Sequence, residues 1–394
     1  MESTVRAWAA SGAMALTGRA DGAALAVPAG VVTVLEAVGA QIAAISARQG
    51  DAVELDALAL LGERAAISGF TRQGDRSCGG GTRLVRAADG WVAASLARAD
   101  DVASVPAWLE VDDVWADEIW KVVTEESLGR SSSALVARAR LLGLPVSQLP
   151  SEPLRPAVGP FGDYPVVADA VGEDDRIVPL DDLVVVDLSS LWAGPLCTNV
   201  LRLAGARVIK VESTRRPDGA RAGPPAFFDL LNSGKAHAGL DFAVPQERAA
   251  LRNLVTSADV VVEASRPRAL RQLGVDRDEI MAAAAGPRIW LSITGYGRTG
   301  PDADAVAFGD DAAVAGGLVA WDERGPCFCA DAVADPAAGL VAAASTLAAL
   351  ETPQRWTLDV AMRDVAAHLA IGDVPEMPAD LDVAPPRARP ARFD

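Results

Sequence analysis

The chain has 394 residues, 50% of them hydrophobic and 23% charged, which suffices for a large globular interior in about two or three lobes. Lys and Arg total 36 against 53 Asp and Glu, and the net charge is −17. This charge repels nucleic-acid phosphates and anionic membranes, so we expect neither nucleic acid nor a membrane as a partner.

The first part of the chain, residues 1–150, predicts a smaller mixed α/β lobe. Apolar residues recur at helical spacing over 31–47 and 55–67. A glycine loop at Gly79, Gly80 and Gly81 precedes two short strands, 83–86 and 90–96, and a helix over 133–142 ends at Gly143. Residues 151–179 are rich in proline and acidic residues, and they predict a linker.

From Leu180 onward, strands and helices alternate along the chain. The predicted strands are 183–188, 207–212, 259–264 and 288–293, and the predicted helices are 194–204, 245–257 and those over 267–284. This order predicts an α/β fold with a Rossmann-like, doubly wound parallel sheet over residues 180–384. Residues 385–394 are rich in Pro and Arg and predict a disordered tail.

The cysteines bear on the compartment. There are four, Cys78, Cys197, Cys327 and Cys329, and no basic N-terminal region leads into an apolar run, so we expect a cytoplasmic protein with reduced thiols. Cys327 and Cys329 lack a second pair and a nearby histidine, so no metal site is predicted. The longest apolar run, 337–350, is shorter than the roughly 20 residues of a membrane span and predicts a buried helix.

The turn after the first predicted strand of the sheet is where we expect a ligand. Ser189, Ser190, Leu191 and Trp192 follow this strand directly, and ligands of open α/β sheets bind beyond the carboxyl ends of strands. A nicotinamide or flavin site would place G-x-G-x-x-G there, whereas this turn has only Gly194. The crevice is therefore predicted to hold some other ligand. An anion is allowed despite the net charge, because salt screens charges beyond about 8 Å.

A carboxylate is the best candidate for chemistry, since the chain has only His237 and His368. Asp335 lies just before Pro336 and the long apolar helix, where an N-cap residue is expected. A helix N-terminus stabilises a carboxylate and directs N–H groups at nearby negative charge. On these local features alone, a structural cap is the favoured interpretation of Asp335.

Many short motifs of residues 180–365 resemble the class III CoA-transferases, the CaiB/BaiF family of formyl-CoA and carnitine CoA-transferases. They include VVDLSSLWAGPLCTNVLRLAGARVIKVE, LNSGK, PRIWLSITGYGRTGP, FGDDAAVAGGLV and ADPAAGLVAAASTLAALE, in the order of that family. The resemblance implies an enzyme that moves CoA from an acyl-CoA to a carboxylic acid through an aspartyl-CoA thioester. Coenzyme A is then a substrate, no cofactor is permanently bound, and a homodimer is expected.

The resemblance also implies site residues. Asp335, in ADPAAG, matches the nucleophile of the family, and the CoA contacts fall on Ser190, Leu191, Trp192, Ala193 and Lys235. Lys235 and Arg271 are candidates for the CoA phosphates, although a lone lysine is commonly a solvated surface charge.

Two departures from the family bear on its function: one removes an expected CoA contact, and the other removes the partner that a two-base racemisation needs. Glu263-Ala264-Ser265 lacks the usual aromatic residue, which places adenine packing in doubt. Relatives that racemise acyl-CoA carry a histidine where this chain has Gly309. An acyl-CoA racemase or isomerase, and a non-catalytic CoA-binding subunit, are the alternatives.

The order of the segments is a third departure, because the smaller lobe precedes the strand-turn segment instead of following it. This order indicates a circular permutation or a rearranged duplication. Gly79, Gly80 and Gly81 resemble the loop that closes over the aspartyl-CoA in relatives, and an ordinary hairpin connection is the alternative. Residues 11–47 faintly repeat 315–350, but only the second copy has Asp335, so one active site per chain is expected.

Overall fold

The fold is known from a computed structural model that describes residues 2–112, 114–115, 117–174, 176, 178–283 and 285–392. The strands of the described residues are, in chain order, β1 Thr82–Arg86, β2 Trp91–Ser95, β3 Val146–Gln148, β4 Val167–Glu173, β5 Val184–Asp187, β6 Arg207–Ser213, β7 Ala236–Leu240, β8 Val260–Glu263, β9 Ile289–Thr294, β10 Ala320–Asp322, β11 Gly325–Cys327 and β12 Gln354–Ala361.

The helices are named in the same way. They are α1 Glu2–Ala10, α2 Gly30–Gln49, α3 Glu63–Ser68, α4 Ala99–Ala103, α5 Val105–Leu109, α6 Ile119–Ser127, α7 Ser132–Leu142, α8 Ala193–Leu203, α9 Pro225–Asn232, α10 Pro245–Ser257, α11 Pro267–Gln272, α12 Arg277–Ala282, α13 Gly309–Ala315, α14 Ala334–Leu350 and α15 Met362–Leu369. Short 3-10 helices cover Met14–Leu16, Ala59–Gly62 and Gly219–Ala222.

A seven-stranded sheet forms the centre of the molecule. Its strand order is β4-β12-β9-β8-β5-β6-β7, in which β4 is antiparallel to β12 and the other neighbours are parallel. The middle strands are apolar and buried on both sides, as expected for parallel strands covered by helices. The predicted doubly wound sheet is confirmed, and its four predicted strands agree with β5, β6, β8 and β9 to within about a residue at most ends.

Helices cover both faces of this sheet. Because successive strand residues point to opposite faces, Val185 packs with α2, α8 and α14, whereas Val186 packs with α10 and α12. Helix α14 is apolar on all sides and nearly fully buried, as the apolar run predicts. The central position of α14 fixes where Asp335, in its first turn, meets the edge of the sheet.

The smaller lobe contains fewer residues than predicted. Its core joins the antiparallel β1-β2-β3 sheet to α4–α7, whereas α1 and α2 pack into the core of the large domain with α14. The predicted 1–150 lobe therefore needs a correction, and residues 2–68 belong with the large sheet. Periodicity shows that a helix has a buried face, but it does not say which partner covers that face.

Two other segments differ from their predictions. The supposed linker 151–179 contains β4, which adds an antiparallel edge strand to the sheet, and Phe161 packs edge-on against Trp356 at 4.9 Å. The predicted disordered tail is ordered in its described part, 385–392, where Arg387 pairs with Asp56 and Arg389 with Glu63. Composition alone does not detect these contacts, because the acidic partners lie more than 300 residues away in sequence.

One described helix, α2, is long and apolar enough by length and composition to cross a membrane. Half of its most apolar window is buried inside the protein. The contacts of α2 with α14 and α15 are those of a core helix in a globular domain.

Candidate active site

A cleft of about 350 Å³ lies at the carboxyl ends of the central strands. The turn after β5, the segments after β8 and β9, and the loop before α13 form its walls, and Asp335 and Met362 face it. Of the predicted site residues, the structure brings Ser190, Leu191, Ala193 and Asp335 together here. Asp335 is the only acidic residue among the described residues that line the cleft.

Asp335 is the second residue of α14 and not its cap. Val333 holds the cap position, and the Asp335 N–H donates to the Ala332 carbonyl at 2.9 Å. The backbone N–H of Gly309, at the start of α13, lies close enough to its carboxylate to favour the charged form. The predicted N-cap role is therefore corrected, and the side chain is left to face the cleft.

Burial raises the pKa of Asp335 to about 7, with the Asp310 carboxylate adding to the rise. The Arg64 guanidinium and the Gly309 N–H favour the charged form and oppose this shift. The carboxyl group is therefore poised between its two protonation states near neutral pH, as is common for groups that react.

Gly309 leaves no space for a side chain. A Cβ built on this residue would lie 2.5 Å from Asp335 Oδ2 and even closer to the Ala332 carbonyl oxygen. The histidine of racemising relatives therefore could not occupy position 309 without a shift of α13 or α14.

A buried charged cluster lies behind Asp335. Arg64 Nε donates to Asp331 Oδ2 at 2.9 Å, and Arg64 Nη2 donates to Asp331 Oδ1 at 2.5 Å. Asp310 Oδ1 accepts the Ala332 N–H at 3.0 Å, and burial, followed by the Asp331 charge, raises the pKa of Asp310 to about 6. The single guanidinium of Arg64 thus attracts the carboxyl groups of Asp331, Asp310 and Asp335.

The backbone before Asp335 is strained. Ala330 and Ala332 both have left-handed φ values, 51° and 46°. Such a conformation costs a non-glycine residue about 1–3 kcal/mol and persists only where the surroundings enforce it. The Asp310 bond to the Ala332 N–H and the Arg64 bonds to Asp331 supply that enforcement.

Hydrogen bonds to the Asp187 carboxylate fix the turn after β5. Asp187 Oδ1 accepts the Ser189 N–H at 3.0 Å and the Ser189 hydroxyl at 2.5 Å, and its Oδ2 accepts the Thr198 hydroxyl at 2.7 Å. Burial alone would raise the pKa of Asp187, but the Lys235 and Lys210 ammonium groups outweigh it and hold the pKa below its usual value. The turn therefore rests on a buried, charged carboxylate.

Lys235 belongs to this buried network and does not reach the cleft. Its Nζ contacts Asp187 Oδ2 at 3.1 Å, Thr198 Oγ1 at 2.8 Å and Asn232 Oδ1 at 3.0 Å, and its side chain has no exposed surface. Burial lowers the pKa of Lys235 to about 8, against the attraction of Asp187. This position agrees neither with a phosphate contact nor with a solvated surface charge.

A second buried pair fixes Leu191. Lys210 Nζ lies 2.9 Å from Asp218 Oδ2 and donates to the Ser189 carbonyl at 3.0 Å. Asp218 Oδ1 accepts the Leu191 N–H at 2.9 Å, which holds Leu191 at a φ of 69°. The exposed Leu191 side chain therefore stands at the cleft on a rigid turn.

Trp192 and Arg271 lie outside the cleft. Trp192 is buried, packs edge-on against Phe227 at 5.2 Å and lies under the Arg64 guanidinium at 5.2 Å. Arg271 is exposed and lines a separate cavity of about 180 Å³ with Trp290 and Arg298. Neither residue therefore lines the cleft in which we expect the ligand.

The glycine loop lies beside the buried cluster. A Cβ built on Gly79 would be 3.7 Å from Arg64 Nη2, and the nearby Ser77 hydroxyl favours the charged form of Asp310. Gly80 has a φ of 78° and packs against Arg76, and Gly81 faces Ala97. The loop is close to the groups behind Asp335, although the three glycines do not line the cleft itself.

Three arginines of the cleft were missed in the sequence. Arg216 and Arg266 each follow the end of a parallel strand by three residues, so their place at this edge could have been inferred. Arg98 comes from the smaller lobe and had no local signal. Arg64, which lies with the large domain, had no local signal either. Ala264 and Ser265, where the family aromatic is missing, also line the cleft.

A larger cavity, about 570 Å³, lies between residues 52–63, the end of α8 and the C-terminal tail. It contains none of the predicted site residues. The candidate active site is therefore the smaller cleft.

Comparison with known proteins gives a family match to part of the chain. Residues 180–385 match the model of "CoA-transferase family III". The chain is 33% identical over 187 residues to succinyl-CoA–D-citramalate CoA-transferase of Chloroflexus aurantiacus, covering 45% of this chain and 46% of that protein. It is 35% identical over 148 residues to succinate–glutarate CoA-transferase of Agrobacterium fabrum, covering 34% and 36%.

Solved structures give similar coverage. The crystal structure of Rv3272 from M. tuberculosis is 32% identical and covers 48% of this chain and 55% of its own, with a TM-score of 0.45. A CAIB/BAIF family protein from Brucella suis is 32% identical and covers 49% and 55%, with a TM-score of 0.43. The chain thus spans about half the length, or less, of these four relatives.

Proposed function

Because the chain belongs to CoA-transferase family III, we propose that it moves CoA from an acyl-CoA to a carboxylic acid, with Asp335 as the nucleophile. One observation carries the proposal. Asp335 is the only carboxyl group among the described residues lining a cleft that also holds Arg98, Arg216 and Arg266. A carboxylate nucleophile beside cationic groups suits two anionic substrates, a CoA ester and an acid.

The proposed reaction begins with attack of an Asp335 carboxylate oxygen on the thioester carbonyl. The carbon–sulfur bond breaks, CoA leaves as a thiolate, and a mixed anhydride joins the acyl group to Asp335. The thiolate then attacks the aspartyl carbonyl, which releases the donor acid and forms an aspartyl-CoA thioester. An acceptor carboxylate attacks this thioester, which breaks the carbon–sulfur bond, releases the CoA thiolate and forms a second anhydride. The thiolate then attacks the acceptor carbonyl of this anhydride, which frees Asp335 and gives the CoA ester of the acceptor acid.

The surroundings of Asp335 support the steps in which negative charge develops. The Gly309 N–H and the Arg64 guanidinium both favour the charged form of the carboxyl group. Donors that are already aimed at the reacting group need little reorganisation during the reaction. The glycine loop at 79–81 lies next to Arg64, and we propose that it closes over the intermediate.

The CoA moiety is proposed to lie along the turn after β5. Ser190, Leu191 and Ala193 line the cleft there, and the exposed side chains of Arg216 and Arg266 stand at its rim. These two arginines, and not Lys235 or Arg271, are our candidates for the CoA phosphates. Lys235 and Trp192 act indirectly, by holding the turn and the Arg64 guanidinium in place.

A direct test is to incubate the protein with an acyl-CoA and to analyse it by mass spectrometry. We expect a CoA-sized adduct on the peptide that contains Asp335, and its disappearance when a carboxylic acid is added. Asp335→Asn should form no adduct. An adduct that persists in this variant would remove Asp335 as the nucleophile.

Repeating this incubation in deuterated water separates the two alternative functions. An acyl-CoA racemase or isomerase would exchange the α-proton of its substrate in deuterated water without moving CoA. A non-catalytic subunit would bind CoA and give neither adduct nor exchange. The glycine at position 309, which leaves no space for a histidine, supports transfer over racemisation.

The resemblance to the family also leads us to propose a cytoplasmic homodimer without a permanently bound cofactor. Light scattering of the purified protein would give its oligomeric state. A monomer at micromolar concentration would contradict the dimer.

A further inference from the structure

Arg98 is the only residue of the smaller lobe among the described residues that line the cleft. It immediately precedes α4, and its guanidinium lies 5.7 Å from the centre of the Phe308 ring. Phe308 is followed by Gly309, which packs directly against the Asp335 carboxylate. Phe308 and Gly309 therefore lie between Arg98 and Asp335, the group that we propose as the nucleophile.

The guanidinium of Arg98 is held along one edge. Nε donates to Asp101 Oδ2 at 2.9 Å and Nη2 donates to Asp101 Oδ1 at 2.5 Å. Nη2 also donates to the Gly143 carbonyl at 3.3 Å, and Asp101 itself is buried. These contacts, together with the Phe308 ring, fix the orientation of Arg98 before any ligand arrives.

The other edge of the Arg98 guanidinium, at Nη1, has hydrogen-bond donors that are not used by the described residues. Nη1 makes no hydrogen bond or ion pair with any of the described residues, while the side chain is 36% exposed. A ligand carboxylate could accept from Nη1 without breaking the Asp101 pair. Because such a bond involves charged groups on both sides, it is stronger than a neutral hydrogen bond.

We propose that Arg98 selects substrates with a second carboxylate, an inference that rests on the proposed function. One carboxyl group of the acid reacts at Asp335, and the distal one binds Arg98 Nη1. Ile293, Ala307, Phe308 and Met362 line the same cleft and suit the short aliphatic chain between the two carboxyl groups. An alkyl chain placed against Arg98 would instead remove water from its donors without replacing their hydrogen bonds.

Calorimetry can test this role without turnover. In an Asp335→Asn background, we would measure the Kd of succinyl-CoA and of butyryl-CoA, which match in length but differ in the distal carboxylate. Adding Arg98→Met should weaken succinyl-CoA binding by about 10- to 100-fold and butyryl-CoA binding by less than about 3-fold, as expected for one charged hydrogen bond.

Matched controls keep the test specific. Arg138→Met removes another arginine of the smaller lobe, one that pairs with Glu110 away from the cleft, and should leave both affinities unchanged. Arg98→Lys keeps the charge but loses the planar fork, and should give an intermediate, succinyl-specific loss even if Arg98→Met folds poorly.

Two results would overturn the role of Arg98. Equal weakening of both esters would show that Arg98 only supports the lobe, and no weakening would show that the acyl group lies elsewhere. Neither result depends on catalysis. Failure of the proposed function itself would appear separately, as a wild-type protein that transfers CoA to no acid.

Discussion

A Cβ at Gly309 would lie 2.5 Å from Asp335 Oδ2, so the two residues approach so closely that only glycine fits at position 309. The start of α13 is itself fixed by the smaller lobe, because Asp311 accepts from the Ser95 hydroxyl at 2.9 Å and from the Phe308 N–H at 2.9 Å. A contact with one lobe thus positions the backbone that packs against the proposed nucleophile in the other.

Gly309→Ala is expected to displace the Asp335 carboxylate. The added methyl group would meet Asp335 Oδ2 at 2.5 Å, and overpacking of this kind typically costs about 1–3 kcal/mol of stability. Urea unfolding should show that loss, and aspartyl-CoA formation should fall at least about 10-fold as the nucleophile is displaced. Gly129→Ala is the control, since a Cβ there meets nothing within 4 Å. Normal adduct formation by Gly309→Ala would contradict the close fit.

The pKa of Asp335 predicts how the reaction depends on pH. Only the ionised carboxylate attacks a thioester, and the pKa is raised by burial to about 7. The rate of adduct formation, followed by quenched mass spectrometry, should therefore rise between pH 6 and 8, at about the pKa, and then level off. A rate already constant from pH 5 would mean that the carboxyl group titrates near its ordinary value.

The same shift predicts a change in stability. The folded-state pKa lies above the unfolded value of 3.8, so protonated Asp335 stabilises the fold below that pH, and the stabilisation is lost as the pH rises through about 7. Asp335→Asn cannot ionise. The thermal unfolding temperature of Asp335→Asn should therefore increase relative to that of the wild type as the pH rises from 5 to 8. A constant difference across this range would disprove the shift.

Lys235→Met should destabilise the fold far more than Arg271→Met. The first change leaves Asp187 buried without one of its ammonium partners, and breaking a buried ion pair from one side typically costs about 3–5 kcal/mol. The second removes an exposed side chain outside the cleft, and its effect on unfolding should stay within about 0.5 kcal/mol. Urea titration measures both. Equal stability with a specific loss of CoA affinity in Lys235→Met would restore a direct phosphate contact.

Arg216→Met and Arg266→Met are each expected to weaken CoA binding by about 10-fold, since each removes one charged contact to a phosphate. The affinity should also depend less on salt in the two variants. Arg215→Met is a close control, because Arg215 pairs with Asp241 and does not line the cleft. Calorimetry at two salt concentrations would measure all three. Losses equal to that of the control would place the phosphates elsewhere.

Much of the fold could be predicted because its signals are local. The apolar strand at β5, the proline after Gly194 and the alternation of strands and helices identified the parallel sheet and its ligand edge. The β4 strand was missed, because it lies in a segment rich in proline and acidic residues, its own residues are mostly exposed, and its pairing with β12 is what makes it a strand. The tail was likewise misjudged, because Arg389 is ordered by Glu63 and not by its own neighbours.

The sequence by itself determined the sheet and the turn at 189–192 and indicated Asp335 as a candidate, since apolar periodicity, strand-end turns and family motifs are written in consecutive residues. The tertiary structure decided the rest. It buried Lys235 beside Asp187, brought Arg64 to the acids behind Asp335 and placed Arg98 at the cleft from another lobe. Burial and charge in a site are sums over residues distant in the chain, and no local pattern records which of them will meet.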